Sequence, residues 1–170
     1  MIATRLLVLA WGNDARGDDA LGPAFCERAS YVSDPPGTST TFVDDFQLQP
    51  EHAVDVAGHD LVLFVDASRD VAGAYAFGEV LPARTAAFST HGVAPGVVLE
   101  AFRQTYSRPP PPAFLLGIRG ESFALGEPLS LRARHNLDAA VGFFALLRRR
   151  PVAEAWRAVA RDRDRDPATA

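Results

Sequence analysis

The chain contains no lysine. All 17 basic residues are arginine, which excludes a lysine Schiff base, a Walker-type phosphate lysine and a Ser/Lys dyad. Cys26 is the only cysteine. No intrachain disulfide can form, no cysteine-rich zinc site exists, and nothing points to an oxidising compartment. An excess of positive charge is missing too. A formal net charge of -4 leaves no electrostatic footprint for nucleic acid. The short run Arg148 to Arg150 is soon followed by Asp162, Asp164 and Asp166, and an alternating Arg/Asp end reads as solvated. Long apolar runs are absent as well. Leu6 to Trp11 is too short for a signal-peptide core with its cleavage site, and far short of the ~20 residues of a membrane span. The expectation is a soluble cytoplasmic protein without a nucleic-acid or membrane partner.

What is present fits one domain. The 170 residues are 48% hydrophobic and 22% charged, ordinary globular composition. Leu6 to Trp11, Leu61 to Val65 and Ala113 to Ile118 are continuous apolar runs, the pattern of strands buried on both faces of a parallel sheet. Thr40 to Val43 is a weaker strand candidate, and Tyr75 to Val80 alternates as an edge or antiparallel strand would. Helical patterns fall between them. Leu21, Phe25 and Ala29 recur within Ala20 to Ser30, and Pro50 to Ala57 reads as a short helix. Val98, Leu99 and Phe102 share a face in Pro95 to Tyr106, and Leu137, Val141, Phe144 and Leu147 line Ser130 to Arg149. Ser130 is the expected N-cap of that last helix, whose arginine end suits its dipole. The order predicts a single α/β domain over residues 1–150, with a mostly parallel sheet and its site at the carboxyl ends of the strands. Residues 151–170 are expected to extend the last helix through Trp156 and then fray into a tail.

Three places carry candidate chemistry. Gly12-Asn13-Asp14-Ala15-Arg16-Gly17-Asp18-Asp19 leaves a strand and enters a helix, where a nucleotide fold would place its phosphate loop. The glycine fingerprint is missing, and three carboxylates would repel a phosphate. They suit a cation or a proton transfer, although Asp18 or Asp19 alone would also serve as a helix cap. Asp66 ends an apolar strand, and His91 precedes a helix. Asp19, Asp66 and His91 each follow a strand, so one sheet edge could gather all three. Two carboxylates and an imidazole suit a first-row divalent ion with open positions. His52, His59 and His135 read as ordinary side chains, and Cys26 as a buried small hydrophobe.

These residues resemble a known family. Gly12-Asn13, Asp18-Asp19-Ala20-Leu21-Gly22, Val65-Asp66-Ala67, His91, Gly117 to Phe123 and Gly126 to Ser130 follow in the order seen in the NiFe hydrogenase maturation proteases. Those endopeptidases trim the C-terminus of a hydrogenase large subunit. The resemblance runs from about residue 4 to about residue 150. It implies a twisted five-stranded sheet with helices on both faces, and a monomer. It implies that Asp19, Asp66 and His91 bind a metal, namely nickel already loaded into the large-subunit precursor rather than held by the free protein. Cleavage would follow nickel insertion and release a short C-terminal peptide. Asn13, Asp18 and Asp44 fall around that trio or in reach of substrate. One stretch departs from the family. Where many members carry an Asp-Gly-Gly-Thr-like turn, this chain reads Val43-Asp44-Asp45-Phe46-Gln47-Leu48-Gln49-Pro50-Glu51, keeping an acid at Asp44 without the glycines.

Two versions of the chemistry stay open at this point. The ion activates water or polarises the scissile carbonyl, or it only docks the precursor while Asp18, Asp19 or Asp44 activates the water. Two other functions compete. One is a non-catalytic, metal-sensing assembly protein that holds the precursor without cutting it. The other is a metal-dependent phosphatase or nucleotide hydrolase, which the acidic loop disfavours.

Overall fold

The apolar run at the start of the chain becomes the pivot of an open sheet. The computed structural model describes residues 3–84 and 93–165, with side chains to Arg163. In chain order the elements are β1 (Thr4–Trp11), α1 (Leu21–Ser30), β2 (Thr38–Asp45), α2 (Ala53–Val56), β3 (Leu61–Ser68), β4 (Tyr75–Val80), α3 (Pro95–Tyr106), β5 (Ala113–Arg119), α4 (Leu131–Leu147) and α5 (Ala153–Arg165). Short 3-10 turns, Gly17–Ala20 and Pro50–His52, lead into α1 and α2. The helix expected over Pro50 to Ala57 is thus split between a 3-10 turn and one turn of α-helix.

The sheet has five strands in the order β2-β1-β3-β5-β4, parallel except for β4, which runs antiparallel to β5. Helices cover both faces, as the fold class required. Alternate side chains of β1 explain why its run is apolar throughout. Leu6, Val8 and Ala10 pack with α1, α4 and α5, while Leu7, Leu9 and Trp11 pack with α2 and α3. Each fully buried Leu or Val contributes about 1.5–3 kcal/mol. Consecutive strands lie on opposite sides of β1, which opens a crevice at the carboxyl ends of β1 and β3.

The end of the chain differs from the expectation. α4 is capped by Ser130, whose Oγ accepts from the Ala133 N–H at 3.1 Å, and stops at Leu147. Pro151 cannot continue the hydrogen-bond ladder, and α5 starts afresh at Ala153. α5 packs on the sheet rather than trailing from it. Trp156 is buried edge-on against Phe77 and Phe114, and its indole N–H donates to Leu147 O at 3.1 Å. Arg148 is likewise no part of a solvated basic run. It is buried, pairing with Asp34 at 3.2 Å and donating to the carbonyls of Val32 and Ser33. None of the described helices is long and apolar enough to cross a membrane.

Candidate active site

Two close approaches shape the loop after β1. At Gly12 (φ 152°) a Cβ would sit 1.9 Å from the Asp19 carbonyl oxygen, and at Gly22 one would sit 2.2 Å from the Trp11 carbonyl oxygen. No side chain fits either position. The two glycines let the Gly17–Ala20 turn lie across the end of β1, and they account for the spacing of the motif. Asn13 closes the loop by accepting from the Ala15 N–H at 2.9 Å through Oδ1. Its own N–H donates to Asp19 Oδ2 at 3.0 Å. The almost buried Asp19 carboxylate is therefore oriented by Asn13, and its Oδ1 accepts no hydrogen bond among the described residues.

The neighbouring acid has a different job. Asp18 is fully buried, and four donors fill its carboxylate. These are the N–H groups of Glu121 (2.7 Å), Ser122 (3.0 Å) and Ser130 (2.7 Å), and the Ser130 hydroxyl (2.9 Å). Burial pushes its pKa up, but the donors on Ser122, Glu121 and Ser130 outweigh that and hold it below the usual carboxylate range. Fully buried and held by four donors, Asp18 ties the loop to the Glu121–Ser130 segment, a structural role rather than that of a base.

Asp66 emerges from β3 one register step past the Ala10–Val65 pair, beside Trp11 on the same face of the sheet. It is partly exposed, and the Ala67 N–H donates to its Oδ1 at 2.8 Å. Burial pushes its pKa up to about 7 against the pull of that N–H. The negative charge of Asp19 adds to the rise, and the Trp11 indole N–H opposes it. The fold thus places Asp19 and Asp66 at the β1/β3 crevice, near enough for the charge of Asp19 to act on Asp66. His91 lies outside the described residues. Among the described residues no three His, Cys, Asp or Glu side chains cluster as a metal site. Two carboxylates, one with an uncommitted oxygen, remain a donor set that suits a divalent ion once an imidazole joins them.

Asp44 does not share this face. It pairs in register with Ala10, its neighbour Val43 packs toward α2 and α3, and its charge acts on Cys26 of α1. Its thiol neighbour is pushed up to about 12, by burial first and then by Asp44, which leaves Cys26 inert. The next residue, Asp45, is exposed and lies on the Trp11 face. Its Oδ2 lies 3.2 Å from His52 Nε2, and its Oδ1 accepts from the Phe46 N–H at 2.6 Å. Phe46 and Gln47 then wall a cleft of about 130 Å³ with Trp11, Gly12, Asn13, Arg16 and Asp19. Asp45, Phe46 and Gln47 fall in the stretch that departs from the family, which the sequence marks only as a region in reach of substrate, while Trp11 and His52 carry no expected role at the site. Strand alternation was the available signal, since it places Trp11, Asp45 and Asp66 on one face once register is known. A larger groove, about 790 Å³ around Pro109–Pro112 and Arg103, opens at the other end of β5, away from the carboxylates.

An open, doubly covered α/β sheet with an acidic pair in its switch-point crevice defines the class. No protein-family model matches the chain, and no curated protein sequence matches it. Solved structures do. The NiFe hydrogenase maturation protease HycI from Thermococcus kodakarensis is 24% identical, with a TM-score of 0.67 over 86% of this chain and 93% of that one. The hydrogenase maturating endopeptidase HybD from Escherichia coli is 24% identical, with a TM-score of 0.66 over the same shares. An endopeptidase from Escherichia coli is 25% identical, with a TM-score of 0.68, again over 86% and 93%. The chain therefore has the fold of the hydrogenase maturation proteases, as its motifs implied.

Proposed function

We propose that this protein is an endopeptidase that removes a short C-terminal peptide from the nickel-loaded precursor of a NiFe hydrogenase large subunit. The observation that carries the reading is the Asp19–Asp66 pair in the crevice of a fold shared with such proteases. In this reading the nickel belongs to the substrate. Asp19 and Asp66, joined by His91, contact it and so register a precursor ready for cutting. Hydrolysis adds water across the scissile amide. The water oxygen bonds to the carbonyl carbon, the C–N bond breaks, and the leaving amine takes a proton. Asp18 is buried under four donors, Asp44 lies on the other face and Asp45 faces His52, so this reading gives that proton to the crevice pair. We place the protein in the cytoplasm as a monomer, in keeping with its single buried cysteine.

The test incubates purified precursor, with and without nickel, with this protein. A C-terminal mass loss in the nickel-loaded sample alone is expected. Stable co-purification without mass loss would replace the peptidase by a binding role.

A further inference from the structure

α2 and α3 cover the sheet unevenly. They pack over Leu7, Leu9, Trp11, Val62 and Phe64. Toward the β4 edge the same face carries small residues, and a groove of about 400 Å³ opens there with Asp66 in its lining. Ala76 and Gly78 of β4 and Gly117 of β5 line its floor, with Val71, Leu115 and Val80 around them. The register fixes its direction. Asp66 stands opposite Gly117, which stands opposite Ala76. Gly78 faces Leu115, and Val80 faces Ala113. The groove therefore starts at the candidate site and follows β4.

Gly78 is the informative residue. Among the described residues a Cβ there would meet nothing within 4 Å, and its φ is not among the positive values. Neither packing nor backbone conformation of the free protein requires glycine, in contrast with Gly12 and Gly22. A glycine inside a strand costs about 0.5–1 kcal/mol relative to alanine, and such a position commonly marks the close approach of another backbone. From Ala76 to Val80 the groove runs about 13 Å at the rise of a β-strand, room for about four residues of extended chain. Asp66 and Ser68 mark one end, Glu79 in the lining is paired with Arg157, and the other residues are apolar, so the groove fits a segment with mostly small or apolar side chains.

We infer that this groove receives the stretch of the precursor that adjoins the scissile bond, extended along β4 with its main chain over Gly78 and Gly117. The assignment rests on the peptidase reading, since its occupant is that substrate. It gives the chain a specificity-determining surface separate from the carboxylates.

The test fills the groove. Gly78→Leu and Ala76→Leu place side chains in open space. Gly142→Leu, at another glycine with open space around it but on α4, is the control. The first readout is steady-state processing of nickel-loaded precursor, with circular dichroism to verify the fold. Both groove variants are expected to raise KM about tenfold or more with kcat little changed, and the control to behave as wild type. The second readout does not depend on cleavage. A fluorescein-labelled peptide that spans the cleavage point is titrated into each protein and followed by anisotropy. Weaker binding to both groove variants than to wild type supports the groove even where wild type fails to cut, and that failure would count against the peptidase reading alone. Wild-type KM or wild-type peptide affinity in folded Gly78→Leu and Ala76→Leu would overturn the assignment.

Discussion

Asp18 and Ser130 are bound to each other twice. The Ser130 N–H donates to Asp18 Oδ1 at 2.7 Å, and its hydroxyl donates to Oδ2 at 2.9 Å. Ser130 is also the N-cap of α4. One residue thus starts the longest helix and fastens the turn that carries Asp19. Removing the carboxylate strands four part-buried donors. Asp18→Ala should cost about 3 kcal/mol or more, a drop in melting temperature of about 10 °C for a chain of this size. The acid dependence follows from the depressed pKa of Asp18. Its stabilisation is complete above the unfolded value of about 3.9 and is lost as pH falls below it through the folded pKa. Thermal melts between pH 7 and pH 3 measure both effects, and an Asp18→Ala melt at wild-type temperature would refute the tie.

Asp66 has the opposite sign. Its folded pKa is pushed up to about 7, by burial first and then by Asp19, against about 3.9 unfolded. Between those values the folded state holds a proton that the unfolded state lacks, so this group erodes stability as pH rises from about 4 to about 7. Asp66→Asn should therefore be more stable than wild type at pH 8, by about 1–3 kcal/mol once partial solvent exposure is allowed for, and similar to it near pH 4. The same variant should fail to process precursor, the exchange of stability for activity expected of a site residue. Urea titrations at the two pH values check the first half.

Gly22→Ala should disrupt the loop. Its Cβ would lie 2.2 Å from the Trp11 carbonyl oxygen, and backbone cannot yield as a flexible side chain would. We expect a loss of more than about 2 kcal/mol. Gly142→Ala, in open space on α4, should be neutral or slightly stabilising. Equal melting temperatures for the two variants would contradict the close approach.

Trp156 tests whether α5 belongs to the core. Trp156→Ala should cost about 3–5 kcal/mol, because the ring is buried against Phe77 and Phe114. A chain ending at Arg150 should fold poorly for the same reason. Full retention of the wild-type melting temperature by Trp156→Ala would show that α5 is dispensable.

Much of this architecture is legible in the residues because local pattern and tertiary burial agree. Leu6 to Trp11 reads as a strand buried on both faces, and both faces of β1 are covered. The α4 cap at Ser130 is visible for the same reason. Neighbouring acids were harder to separate. Asp18 and Asp19 differ only in what approaches them, and the donors to Asp18 come from Glu121, Ser122 and Ser130, far along the chain. Asp44 and Asp45 differ by one step of strand parity, which a single sequence does not anchor without the register to β1. Arg148 read as solvated because its partners Asp34, Val32 and Ser33 sit in a distant loop. The helix after Pro151 looked like a fraying continuation because α5 carries many charges; Trp156 and Ala160 are its buried apolar residues, with Ala153, Ala155 and Val159 packed beside them.

The most direct test of the account is the intact mass of a nickel-loaded large-subunit precursor after incubation with wild type, Asp19→Ala, Asp66→Ala and His91→Ala. The account predicts loss of a C-terminal peptide with wild type and an unchanged precursor mass with the three variants. Normal cleavage by Asp19→Ala, Asp66→Ala or His91→Ala, in proteins with wild-type folds, would contradict it.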